Sequence, residues 1–188
     1  VELRVTYATS VNSVRQRTQA VVKQALENIG IMVQLEQIDA GVYFDGSAGN
    51  DQNINHFYWD MCMYQSVPQS TRPMTFVEVW YAGATDEDEN IAQESNQWQG
   101  ANNARYKDEE FDALYEQALT ESDPDTLAEL FIQMNDHIVM NNVVNPLVVV
   151  GSPRGASKRL RQENLAMAAF SYDYWNIANW NLADDAEA

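Results

Sequence analysis

Residues 1–38 constrain the fold more than any other stretch. Val1–Ala8 alternates, with Leu3, Val5 and Tyr7 on one face and Glu2, Arg4 and Thr6 on the other, the period of a strand. Ser10 and Asn12 offer N-caps for a helix. Val14, Val21, Val22, Ala25, Leu26 and Ile29 then recur at helical spacing, and Gly30 supplies the stop. Ile31, Val33 and Leu35 alternate again. A strand, a helix and a second strand joined this way form a parallel pair with a right-handed crossover. The fold class is therefore α/β.

The run Phe57–Tyr64, FYWDMCMY, is apolar or aromatic apart from Asp60. A strand apolar at both parities is usually buried on both faces, so this run is expected to be the central strand. Beyond it the chain turns polar, and Pro68 and Pro73 stop any ladder or helix. Gln65–Thr71 then falls at the carboxyl end of a strand, where open α/β sheets bind ligands.

The rest of the chain reads more plainly. Ala40–Phe44 is one helical turn, and Gly46–Asn55 is a polar loop with two glycines. Thr75–Tyr81 suits a short amphipathic helix carrying Phe76, Val79 and Trp80. Ala84–Gly100 is rich in Asp, Glu, Asn and Gln and reads as a long surface excursion. Asp108 caps a helix with the stripe Phe111, Leu114, Tyr115 and Ala118. Ser122 or Asp123 caps the next, Pro124 fits its first turn, and Leu127, Leu130, Phe131, Met134 and Ile138 form its stripe. Val143–Val150 reads as a last strand, bent or at an edge because of Pro146. Arg154, Lys158, Arg159 and Arg161 form a basic cluster, and Phe170, Tyr172, Tyr174, Trp175 and Trp180 crowd the end.

The net charge of −17 opposes binding to nucleic acid or to an anionic membrane. With one cysteine, Cys62, the chain has no internal disulfide. No run reaches the ~20 apolar residues of a membrane span. Neither GxGxxG nor GxxxxGK[ST] is present, nor HExxH or CxxC, which removes support for nucleotide and zinc sites. His56 and Cys62 on one strand would lie ~20 Å apart at about 3.3 Å per residue, too far to act as a pair. Cys62 reads as a small buried hydrophobe. No nucleophile, base and oxyanion donor assemble, so a hydrolase is not expected, and no cofactor is implied.

The order of several strings resembles the C-terminal lobe of the family 5 extracellular solute-binding proteins, the peptide, nickel and oligosaccharide receptors of ABC importers. These strings are LRVTYATSVNSVRQRTQAVVKQALENIGIMVQLEQID, the FYWDMCMY strand with its Pro-containing loop, NNARYKDEEFDALYEQAL, ESDPDTLAELFIQMNDHIV, NPLVVV and WNIANW. Together they cover nearly the whole chain. The resemblance implies one lobe of a periplasmic-binding-protein type II-like fold, with a mixed central sheet flanked by helices. It implies residues 1–150 as the ligand-binding lobe and 151–188 as a returning segment that packs on a first lobe. That lobe and an export signal are expected before Val1. It further implies an extracytoplasmic receptor, in the periplasm or as a cell-surface lipoprotein, that closes by a hinge on a peptide or oligosaccharide and meets ABC permease subunits.

Peptide-binding members of that family carry an aspartate for the peptide amino terminus at the position of Gln69. Gln69 offers hydrogen bonds without charge. The expected ligand-binding residues are Gln65, Ser66, Val67, Gln69, Trp98, Asn102 and Asn103. The main chain of Gln65–Val67 is expected to pair with an extended ligand, and Trp98 either packs under the excursion or offers a stacking face. The competing reading is a stand-alone carbohydrate-binding or sensor module built on Trp98 and the Gln/Asn-rich loops.

Overall fold

The structure, a computed structural model, describes residues 2–47, 49–68, 72–84, 88–151, 154–161, 163, 165 and 174–182. Strand β1 (Leu3–Ser10) leads through helix α1 (Ser13–Glu27) to β2 (Ile31–Ile38), as the alternation predicts. Asn12 caps α1, its side chain accepting from the amides of Val14 and Arg15 at 3.0 and 3.3 Å. A short helix α2 (Ala40–Tyr43) follows, then β3 (Met61–Met63) and α3 (Met74–Val77). Helices α4 (Glu109–Thr120) and α5 (Pro124–Met140) form a hairpin with the expected caps, Asp108 and Asp123.

The sheet order is β2-β1-β3 and both pairings are parallel, where a mixed sheet is expected. The central strand is β1. The aromatic run supplies only Met61–Met63, paired with Tyr7–Thr9 at the edge of the described sheet. The reason lies just upstream. Ile54–His56 forms a 3-10 turn capped by Asn53, and Phe57 sits at φ 45°, a conformation no strand contains. The run's apolar character is spent on ring packing instead, Trp59 lying 5.8 Å from Tyr43. Asp60 starts the strand by accepting from the amide and hydroxyl of Thr6 at 2.7 and 2.8 Å.

The covered face of helix α1 mixes part of its apolar stripe, the half-buried Val22 and Leu26, with the polar Gln19 and Lys23. Gln19 is wholly buried, its amide donating to the Tyr7 and Glu36 carbonyls at 2.6 and 3.2 Å. Lys23 donates to the Val33 carbonyl. Val14, Val21 and Ile29 are left exposed. The polar members of this face supply donors to strand carbonyls.

Two apolar clusters hold the described chain together. Ala8, Ile38, Tyr43 and Ile54 pack with Val42, Trp59 and Cys62 beneath the sheet. Val77, Phe111, Tyr115, Ala118, Leu130, Met134 and Ile138 fill the space between α3 and the α4–α5 hairpin, matching the periodicity of both helices. Val143–Val150 is not a strand. Pro146 removes one donor, no strand lies beside it among the described residues, and Val149 is 100% exposed. Beyond it Leu160 and Leu182 form an antiparallel bridge. Phe170 and Tyr172 lie outside the described residues.

The segment 88–103 is a built loop rather than a loose excursion. Asn90 donates to the Glu78 and Tyr81 carbonyls at 2.9 and 2.8 Å, and Asn96 to Ile91 and Glu89 at 2.7 and 3.2 Å. A Cβ on Gly100 would come within 2.4 Å of the Asn90 carbonyl oxygen, so at Gly100 the two arms meet main chain to main chain. Amide side chains here reinforce the short main-chain bridge between Ile91 and Asn102.

Candidate functional site

At the end of β3, Thr9 Oγ1 donates to the Met63 carbonyl at 2.8 Å, holding the strand's last residue against β1. The chain then leaves the sheet. Gln65, Ser66 and Val67 are exposed, and their main-chain amides and carbonyls have no partner among the described residues. Gln69 lies outside the described residues. Below this exit Cys62 is half-buried and unpaired, and burial pushes its thiol up to about 11. Burial, with Cys62 beside it, likewise pushes the Tyr43 hydroxyl well above the usual tyrosine range. At neutral pH this is a protonated, apolar floor with no nucleophile.

A second concavity lies between the 46–53 loop and the Glu94–Trp98 turn. It is a cavity of about 260 Å³ lined by Asp51, Asn53, His56, Glu94, Gln97 and Trp98, with Gly46, Ser47 and Gly49 at its loop side. The His56 and Trp98 rings stack, and Tyr58 meets the Trp98 ring edge-on at 5.9 Å. The guanidinium of Arg105 lies over that ring, 5.4 Å from its centre, and donates to the His56 carbonyl at 2.7 Å. Asn55 donates to the Trp98 carbonyl at 3.1 Å, and Gln99 to the Gly46 carbonyl at 3.2 Å. Gln97 and Trp98 sit at φ 56° and 61°, a left-handed conformation costing non-glycine residues on the order of 1 kcal/mol each. Packing of the Trp98 ring offsets that cost.

The expected site residues therefore separate. Gln65–Val67 are at the strand end with their main chain open. Trp98 is in the wall of the cavity with its ring already engaged. Among the described residues, no hydrogen bond or ring contact links the two groups. Asn102 is fully buried and holds the loop, donating to the Tyr81 and Tyr106 carbonyls at 3.2 and 2.7 Å and accepting from the Tyr106 amide at 3.1 Å. Asn103 is half-buried beside it. Sequence reasoning missed Asp51, His56 and Glu94 as a group. The one available signal was a histidine between a glycine-containing polar loop and an aromatic run.

No family model matches the chain, and no curated protein sequence matches it. Solved structures do. An oligopeptide binding protein from Thermus thermophilus, complexed with a pentapeptide, superposes with a TM-score of 0.63 at 22% identity over 76% of this chain and 23% of its own. The oligopeptide-binding protein AppA from Bacillus subtilis, in complex with a nonapeptide, gives 0.54 at 19% identity over 97% of this chain and 32% of its own. NikZ from Campylobacter jejuni, in complex with Ni(L-His), gives 0.59 at 13% identity over 95% of this chain and 33% of its own. This chain thus spans a quarter to a third of the length of those proteins. It shares the fold of one lobe-sized part of them, the periplasmic-binding-protein type II-like architecture. Among the described residues, no helix is long and apolar enough to cross a membrane.

Proposed function

We propose that this chain is the C-terminal, solute-binding lobe of an extracytoplasmic receptor for an ABC importer, and that its solute is a peptide. The observation that carries the reading is the main chain of Gln65–Val67, without a partner among the described residues, at the carboxyl end of a parallel sheet. An extended peptide supplies alternating N–H and C=O groups that such a segment pairs with by strand addition. The solved structures that share this fold include two described as holding peptides, which favours the same ligand class here. An oligosaccharide needs an open aromatic face, whereas the Trp98 ring is stacked on His56. Residues 1–150 form the lobe, and the segment from Gly151 on returns to a first lobe. The exposed run Leu147–Val150 is where that crossing leaves. Closure of the two lobes on the solute then presents it to permease subunits.

Calorimetric titration of the full-length protein with a mixture of short peptides, and separately with oligosaccharides, tests this. Peptide binding with no oligosaccharide response is expected. Tight, stoichiometric binding of an oligosaccharide to the 188-residue chain alone would overturn it in favour of a self-contained carbohydrate-binding module.

A further inference from the structure

Strand β3 is three residues long and is fastened to β1 at both ends by side chains. At its entry, the Thr6 amide and hydroxyl donate to the Asp60 carboxylate at 2.7 and 2.8 Å, and the Asp60 amide donates to the Thr6 hydroxyl at 3.1 Å. At its exit, the Thr9 hydroxyl donates to the Met63 carbonyl at 2.8 Å. The Tyr7 hydroxyl, two residues back on the same face of β1, donates to the Met63 sulfur at 3.4 Å. Met63 is thus held through its main chain and its side chain at once.

The two fastenings differ in kind. The Thr6–Asp60 bonds lie at the surface, whereas Thr9 is fully buried. A buried hydroxyl costs free energy unless it is bonded, and valine has nearly the same shape and a similar preference for strands. The Thr9 hydroxyl therefore adds nothing to packing that valine would lack. What it adds is the bond to Met63. Immediately beyond Met63 and Tyr64 comes Gln65–Val67, whose main chain has no partner among the described residues. Pro68 follows, and the residue before a proline is restricted to extended conformations. The open segment thus runs from a fixed point at Met63 to a stiffened end at Val67. A ligand strand that adds to a segment already held in place loses less free energy in ordering it.

We infer that Thr9 is a positioning residue for peptide binding: its bond to the Met63 carbonyl fixes the point where the chain leaves the sheet and holds Gln65–Val67 in place for strand addition. The link to binding rests on the reading of the protein as a peptide receptor. The clamp on the exit segment does not.

The test uses the full-length protein with Thr9→Val, Thr9→Ser and Thr6→Val, the last opening the entry fastening only. Backbone ¹⁵N order parameters of Gln65, Ser66 and Val67 are measured without ligand, and affinity for penta-alanine by calorimetry. Thr9→Ala takes the place of Thr9→Val if the valine variant does not fold. Thr9→Val is expected to lower the order parameters of the segment and to weaken peptide binding by about tenfold. Thr9→Ser, which keeps the hydroxyl, should restore both. Thr6→Val should leave both as in the parent, although it too removes bonds to β3. If the parent binds neither penta-alanine nor a mixture of short peptides, but the segment loses order in Thr9→Val alone, the clamp holds and the peptide reading fails. Parent-like order and affinity in Thr9→Val would overturn the inference and leave the receptor reading intact. So would an equal loss of affinity in Thr6→Val, or a Thr9→Ser variant as impaired as Thr9→Val.

Discussion

The imidazole of His56 stacks on the indole of Trp98 with ring centres 4.5 Å apart and planes 26° from parallel. The pair joins the turn before β3 to the asparagine-built loop, two segments with no strand or helix in common. Replacing Trp98 by alanine removes the ring contacts to His56 and Tyr58 and the Arg105 contact. The expected loss is ~1–3 kcal/mol, read as a shift in denaturant midpoint, with Trp98→Phe losing less. An unchanged midpoint for Trp98→Ala would mean the stack adds nothing to the loop's position.

Gly100 touches the opposite arm through main-chain atoms, with the Ile91 carbonyl carbon and the Ala92 amide nitrogen at 2.5 and 2.6 Å from where a Cβ would stand. Backbone does not yield as a flexible side chain does. Gly100→Ala should cost about 1–3 kcal/mol and should raise hydrogen exchange at the amides of Ala92 and Asn102, which bond across the arms. Retention of native exchange at both amides would show that the arms part freely.

Much of the fold was legible because it rests on local rules. Asn12, Asp108 and Asp123 cap where the capping chemistry places them, and the stripes of α4 and α5 are the residues that are buried. The misread parts are those decided across the chain. Phe57–Tyr64 looks like a buried strand in isolation, but Asn53 and the left-handed Phe57 turn it away until Asp60 meets Thr6. Only Val22 and Leu26 of the α1 stripe are half-buried, and Gln19 and Lys23 share that face by donating to strand carbonyls. Of the candidate site, Gln65–Val67 follows from strand-end logic. The His56 cavity does not, because it needs two loops brought together by Asn55, Gln99 and Arg105.

Met134 is fully buried in the α4–α5 core, and Met134→Ala should cost ~2–5 kcal/mol through the cavity it leaves. Met63→Ala, at the half-buried sheet edge, should cost clearly less. Equal costs in equilibrium unfolding would contradict the edge position of β3.

The Phe111 amide holds the Asp108 carboxyl below the usual carboxylate range, with the Tyr106 hydroxyl and His137 adding to it. The Thr6 amide and hydroxyl do the same for Asp60. A carboxyl whose folded pKa is depressed contributes stability above its unfolded pKa, near 4, and loses it as pH falls through the lower folded value. Asp112 opposes this, burial raising its pKa. Stability should therefore fall below about pH 4. Asp108→Asn, which still caps, should flatten part of that fall with little change at pH 7. An identical acid profile for the variant would remove Asp108 from the account.

The Cys62 thiol, pushed up to about 11 by burial, should carry on the order of 100-fold less thiolate at pH 8 than an ordinary cysteine. Alkylation by iodoacetamide should be slow in the folded protein and fast in denaturant. Rapid alkylation of the native chain would place the thiol in solvent.

The most direct test of the central claim is hydrogen exchange at the amides of Gln65, Ser66 and Val67 in the full-length protein, with and without a saturating mixture of short peptides. The account predicts fast exchange at all three without peptide and strong protection, alternating along the segment, once peptide is bound. Peptide binding that leaves these amides exchanging at the free rate would contradict it.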